Sequence, residues 1–174
     1  MILSDKSIRQ LLLTENAPLV IDPLPTDRAI QPASVDLNLS GSFYTPYAQH
    51  PFVIDTGMYY TLVPGECVLA STVERVQIPG TMIARVEGKS SWARRFLMVH
   101  STAGFIDPGF RGQITLELVN LSKVSIPLQV GEPIAQISFA WTDQSVARPY
   151  GDRDLDSHYQ DQSGATPSAL PSWL

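Results

Sequence analysis

Short segments that alternate with period two run through most of this chain and limit what it can fold into. Val35-Asp36-Leu37-Asn38-Leu39 is the clearest. Parts of 43–47, 58–62, 67–72, 73–79, 82–86, 113–120, 125–130 and 134–139 follow the same rule. Alternation sends successive side chains to opposite faces of a strand, so each segment has one face for a core and one for solvent or a ligand. Turn signals separate the segments: Pro64-Gly65, Pro79-Gly80, Asp107-Pro108-Gly109 and Val130-Gly131-Glu132. Many short strands punctuated in this way predict a mainly β sandwich or barrel. The period lengthens only near the start. There Ser4-Asp5 can cap a short helix carrying Ile8, Leu11 and Leu12, and Asn16-Ala17-Pro18 ends it.

A chain of 174 residues fits one domain over 1–174 around one core. From Tyr150 onward the sequence is polar and weakly periodic, so 150–174 reads either as a frayed tail or as a lid that orders over a ligand. The formal charge of -5 speaks against a nucleic-acid polymer as partner, because a polyanion needs a basic face. A mononucleotide needs only a few local cations and backbone N–H groups. No apolar run approaches the roughly 18–20 residues that span a bilayer. Met1–Lys6 lacks the basic start of a secretory signal, and the single Cys67 allows no intrachain disulfide. A cytoplasmic location is the expectation.

Three segments carry residues suited to chemistry. In 113–120, Ile114, Leu116 and Leu118 share one face, and Gln113, Thr115, Glu117 and Val119 share the other. Glu117 is thus either a solvent-facing acid on an edge strand or a general base in a pocket, where apolar surroundings raise a carboxylate's pKa toward working pH. Gly88-Lys89-Ser90-Ser91 leads into Trp92-Ala93-Arg94-Arg95. That turn is either a plain serine cap or an anion site, with hydroxyls and N–H groups for phosphate, a point charge at Lys89 and a donor fork at Arg94. Asp107 in its Pro-Gly turn either caps its own backbone or accepts from a sugar hydroxyl.

None of His50, His100 and His158 stands in a His-x-Glu motif, and no second cysteine exists, so the zinc-deaminase signature and any structural zinc ligand set are absent. There is no P-loop and no Gly-x-Ser-x-Gly elbow. A hydrolytic water in this chain must be activated by a carboxylate and placed by side chains.

Taken together, these segments resemble the dCTP deaminases, relatives of the trimeric dUTPases. The resemblance rests on Gly88–Arg94, on Thr102-Ala103-Gly104-Phe105-Ile106-Asp107-Pro108-Gly109-Phe110 and on Gly112-Gln113-Ile114-Thr115-Leu116-Glu117. It extends to Ile134-Ala135-Gln136, Pro149-Tyr150-Gly151, Tyr159-Gln160-Asp161-Gln162 and the early Gln31-Pro32-Ala33-Ser34-Val35-Asp36-Leu37. It implies a distorted, jelly-roll-like β-barrel of the dUTPase type (a β-clip fold) with a short N-terminal helix, assembled as a homotrimer with active sites between subunits. Glu117 would activate water for attack on cytosine C4. Ser90 and Arg94 would position that water and polarise the base. Lys89, Ser90 and Ser91 would hold a triphosphate with Mg²⁺, inside the substrate-binding run that includes Trp92 and Ala93. Asp107 would read the deoxyribose. Thr115 and Leu116 would contact base and sugar. Gln136, Tyr150 and Gln162 would complete the site, the last from the lid.

The family has two kinds, one releasing dUTP and one continuing to dUMP and pyrophosphate. Gly104-Phe105 resembles the second, where strictly deaminating members tend to carry His-Arg. The alternatives are a deaminase that stops at dUTP, an enzyme acting on dUTP alone, and a non-catalytic barrel that binds nucleotide. Feedback by dTTP is a family trait. One departure concerns Ser157-His158-Tyr159, where the family usually has lysine before the tyrosine. Lysine is a fixed cation, whereas histidine side chains change charge near physiological pH. The expectation is that His158 meets phosphate in lysine's place. Trp92, Arg95 and Phe96 also stand where aliphatic residues are commoner.

Overall fold

A computed structural model describes residues 1–14, 18–45, 47 and 50–170. Its first element is helix α1 (Asp5–Leu13). Ser4 occupies the cap position in an extended conformation but makes no side-chain capping bond; its carbonyl accepts the first helical N–H, from Ile8, at 2.9 Å. Ile8 is fully buried, and Leu11 and Leu12 pack against the core behind it. The helix stops at Leu13, and the expected terminating residues Asn16 and Ala17 lie outside the described residues.

Twelve strands follow among the described residues: β1 (Val20–Asp22), β2 (Ile30–Gln31), β3 (Ser34–Tyr44), β4 (Phe52–Val53), β5 (Tyr59–Leu62), β6 (Cys67–Gln77), β7 (Met82–Gly88), β8 (Leu97–Met98), β9 (Phe105–Ile106), β10 (Arg111–Asn120), β11 (Ile126–Gln129) and β12 (Pro133–Trp141). A four-residue helix, α2 (Ser90–Ala93), sits between β7 and β8. The mainly β expectation holds. Two pairs of predicted segments fuse, however. Val35–Leu39 and the start of 43–47 are one strand, β3, and 67–72 with 73–79 make β6. In β3 the alternation is broken by a register shift between Leu39 and Phe43. The shift falls at Gly41, where a Cβ would lie 2.1 Å from the carbonyl oxygen of Ile54, so only glycine admits the approach.

Ten strands form one sheet whose main path runs β8-β10-β6-β3-β12-β7-β9, and β11 pairs with β5 in a second, two-stranded sheet. The two ends of the long path, β8 and β9, are consecutive in sequence. Residues 99–104 therefore bridge from one edge of the sheet to the other, and the sheet curls into a barrel-like shell. Its interior is filled by side chains such as Leu37, Phe43, Leu116, Leu118 and Phe139, each fully or almost fully buried. Full burial of one such side chain stabilises the fold by about 1.5–3 kcal/mol.

β10 shows how alternation positions the site. Gly112, Ile114, Leu116, Leu118 and Asn120 face inward, while Gln113, Thr115, Glu117 and Val119 stand half-buried on the outside. Residues 160–166 dock along that outer face. Gln162 exchanges bonds with Gln113 (Nε2 to the Gln113 carbonyl, 2.8 Å; Gln113 N to the Gln162 carbonyl, 3.1 Å). The Thr166 amide donates to Thr115 Oγ1 at 3.3 Å and the Ala165 amide to Ser42 Oγ at 2.9 Å. Asp161 is clamped by Arg111 (Nε, 2.5 Å; Nη2, 2.6 Å) and by Arg75. Hydrogen bonding and charge from the Arg111 guanidinium, with Arg75 behind it, bring the Asp161 carboxyl down to a pKa of about 2.

Candidate active site

Glu117 is on the outer face of β10, directly opposite Leu69 of β6. Its Oε2 accepts the backbone N–H of Ser101 at 2.9 Å. Ser101 belongs to the bridge between β8 and β9, and its neighbour Thr102 adopts φ 65°, an uncommon conformation for a β-branched residue. The bridge thus reaches over the strand end and ties down the carboxylate. Beside it opens a cleft of about 620 Å³ whose walls include Ala103, Phe105, Asp107, Phe110, Thr115, Tyr150, His158, Tyr159 and Gln162.

Each wall has a local cause. Phe105 projects from β9, with the Arg85 guanidinium 5.4 Å from its ring centre. The Pro108 carbonyl accepts the Tyr150 N–H at 2.7 Å, and the Tyr150 ring meets Phe110 at 5.7 Å in a tilted contact. The Tyr150 hydroxyl accepts the Tyr159 N–H at 3.0 Å, so one tyrosine lines the cleft and fastens the tail. His158 Nε2 stands 3.8 Å from Asp156 Oδ2. Asp107 is exposed on its turn, and its carboxylate has no hydrogen bond or ion pair among the described residues. Its charged side chains are the carboxylates of Asp107, Glu117 and Asp156, and among the described residues no lysine or arginine lines it.

The cations are elsewhere. α2 leaves the hydroxyls of Ser90 and Ser91 and the guanidinium of Arg94 exposed and without side-chain partners among the described residues. Lys89 and Ser91 line a second cavity, of about 640 Å³, with Tyr59, Gln129 and Glu132. The two cavities have no lining residue in common. Trp92 packs against the core, donates Nε1–H to the Pro133 carbonyl at 3.0 Å and carries Arg95 over its ring at 5.6 Å, so it fastens α2 to the barrel. Ala93 is exposed and offers no polar side-chain group.

Lys89 is ion-paired with Asp36 of β3, a half-buried cation on a nearly buried acid. Gln136 on β12 lies directly opposite Asp36, and its Oε1 accepts the Ser34 hydroxyl at 2.9 Å. Lys89 and Gln136 therefore gather around Asp36, away from the Glu117 cleft. Leu116 points into the core, so only its backbone is available on the outside. Gly104 lies where the bridge meets β7: its carbonyl accepts the Val86 N–H at 2.8 Å, and a Cβ there would be 2.6 Å from the Val86 carbonyl oxygen.

Of the residues singled out in the sequence, the structure brings Phe105, Asp107, Thr115, Glu117, Tyr150, His158 and Gln162 to one cleft. It sets Lys89, Ser90, Ser91, Arg94 and Gln136 apart from it. Ser101, Asp36, Arg111 and Arg75 escaped the sequence reading. Asp36 alone left a signal there, as a carboxylate between Val35 and Leu37 in mid-strand.

This architecture is shared with solved nucleotide enzymes of the same barrel class. It superposes on the 2'-deoxycytidine 5'-triphosphate deaminase of Agrobacterium tumefaciens with a TM-score of 0.68 at 23% identity, covering 81% of this chain and about half (48%) of that one. Residues 2–142 match the dCTP deaminase-like family model, and the chain belongs to that family. A Dictyoglomus turgidum protein described as "dCTP deaminase, dUMP-forming" is 42% identical over 98% of this chain and 95% of its own. A Haloarcula marismortui protein described as "dCTP deaminase" is 42% identical over the same shares.

Proposed function

We propose that this chain hydrolyses dCTP at cytosine C4 and carries the product on to dUMP and pyrophosphate. The observation that carries the reading is Glu117: a half-buried carboxylate fixed by a backbone N–H at one wall of a nucleotide-sized cleft, beside Asp107 and Thr115. Glu117 takes a proton from water, and the resulting hydroxide adds to C4. The C4–N4 bond then breaks, and ammonia leaves with the proton that Glu117 returns. Asp107 accepts from the deoxyribose hydroxyl, and Tyr150, Gln162 and the backbone at Leu116 close around base and sugar. In the second step water attacks phosphorus and the bond between the α- and β-phosphates breaks. Mg²⁺ enters as the counter-ion of the triphosphate, as part of the substrate.

A cleft without lysine or arginine cannot hold a triphosphate alone. Lys89, Ser90, Ser91 and Arg94 sit on a different face of the same protomer, so the complete site forms where one copy's turn meets another copy's cleft. A ring of three copies closes all such contacts. From the partner's turn, Ser90 and Arg94 place the water and stabilise charge developing on the base. Such an enzyme works in the cytoplasm, supplies uracil nucleotides for thymidylate synthesis and takes dTTP as a feedback ligand.

The dUMP-forming reading draws on Gly104-Phe105 and on the Dictyoglomus relative. The equally similar Haloarcula relative, described simply as a dCTP deaminase, favours a second reading in which dUTP is released. Incubation with dCTP and Mg²⁺, followed by chromatography and ammonia determination, separates them. Ammonia with dUMP and little free dUTP is the expected result. Accumulating dUTP supports the second reading. Hydrolysis of added dUTP without ammonia from dCTP indicates an enzyme for dUTP alone, and binding without turnover indicates a non-catalytic barrel.

A further inference from the structure

Phe96 directly follows the α2 turn with φ 62°, and its side chain is 64% exposed. Two backbone bonds pin it there: Phe96 N–H to the Ala93 carbonyl and Leu121 N–H to the Phe96 carbonyl, both 2.9 Å. A left-handed backbone suits glycine and penalises an aromatic residue, so the turn itself gives no reason for a phenyl ring. Packing within the chain gives none either, because the ring faces outward. Beside it stand Leu121, 63% exposed, and Val124, 69% exposed, over a groove of about 530 Å³.

We infer that Phe96 is the apolar anchor by which one copy of this chain docks onto the next. The inference rests on the shared-site reading above. Arg95 and Pro127 line both the Phe96 groove and the cavity at Lys89 and Ser91, so the two are one continuous surface. Whatever meets the serine turn also meets Phe96. The charges fit a second copy: among the described residues this face carries Lys89, Arg95 and Lys123 against one acid, Glu132, whereas the Glu117 cleft is edged by Asp107 and Asp156. Opposite charges on different faces of one chain favour a head-to-tail contact, the kind of contact from which a closed ring is built. An aromatic side chain within an apolar patch edged by charge is the usual hot spot of such a contact.

The test is Phe96→Gly, with Phe96→Asn as a second variant that also tolerates the left-handed backbone. Mass is measured by sedimentation from nanomolar to tens of micromolar, with dCTP turnover per chain and far-UV circular dichroism on the same samples. The expected result is that both variants keep the wild-type fold but need at least about ten-fold more protein to assemble. Turnover should fall on dilution in step with assembly. Either variant assembling at the wild-type concentration, with full turnover and a higher melting temperature from the relieved backbone, overturns the anchor and leaves the shared site intact. A wild type that stays a single chain while turning over dCTP overturns the shared site, and the anchor with it.

Discussion

Glu117 Oε2 and the Ser101 backbone N–H are 2.9 Å apart, and this bond ties the proposed base to the segment that closes the barrel. The donor is main chain, so no side-chain exchange at 101 short of proline removes it. Oε1 accepts no hydrogen bond among the described residues and is the oxygen free to meet water. In Glu117→Gln the amide oxygen can keep the Ser101 bond, but the side chain cannot take a proton. Ammonia release from dCTP should fall by about 10²–10⁴-fold, while calorimetric affinity for the nucleotide stays within a few-fold. Wild-type turnover in this variant would mean that another group is the base.

Asp161 makes the tail's docking sensitive to acid. Its folded pKa of about 2, set chiefly by Arg111, lies below the ordinary aspartate value of about 3.9. A depressed carboxylate stabilises the docked state above the ordinary value, and that contribution is lost as pH falls toward 2. The Gly164 and Ala165 amides, which donate to Gln113 Oε1 and Ser42 Oγ, should stay protected from hydrogen exchange down to about pH 4 and lose protection below it. Asp161→Asn should weaken their protection already at neutral pH. Unchanged exchange in that variant would show that the clamp is idle.

Among the described residues His158 is the one imidazole lining the cleft, where Asp156, Glu117 and Asp107 are the acids. If it meets phosphate, His158→Ala should raise the KM for dCTP several-fold with kcat little changed. His158→Lys should keep the KM at or below the wild-type value, because the ammonium is itself a donor and point charge for phosphate. An unchanged KM in the alanine variant would remove His158 from the phosphate site.

Gly104 leaves no space for a side chain. In Gly104→Ala the new carbon falls 2.6 Å from the Val86 carbonyl oxygen and about as close as 3.0 Å to the His100 ring, so the bridge must shift. The expected cost is about 1–3 kcal/mol in thermal melting, with turnover lowered further because Ser101 moves with the bridge. A variant as stable and active as wild type would show that the bridge yields freely.

The long strands were legible because alternation survives in any strand with one buried face. β10 illustrates this: its outward set, Gln113, Thr115, Glu117 and Val119, was readable residue by residue. β8 and β9 were not, since two residues cannot display a period. The sequence also could not show that Lys89 pairs with Asp36, 53 positions away, or that Asp161 reaches back to Arg75 across 86. Contacts at such separations depend on how strands stack, and local composition is silent about that. The tail read equally as a loose end or as a lid for the same reason: its partners, Ser42, Arg75, Arg111, Gln113 and Thr115, are distant in sequence.

The bridge of residues 99–104 has one more consequence. It is anchored at one end by Leu97 and Met98 beside β10 and at the other by Phe105 and Ile106 beside β7. Inserting one residue there would invert which β9 side chain faces inward, or drag the Ser101 amide away from its acceptor. Relatives that diverge widely in other connections should keep the length of this stretch fixed, because its tally of residues sets the gauge of the cleft.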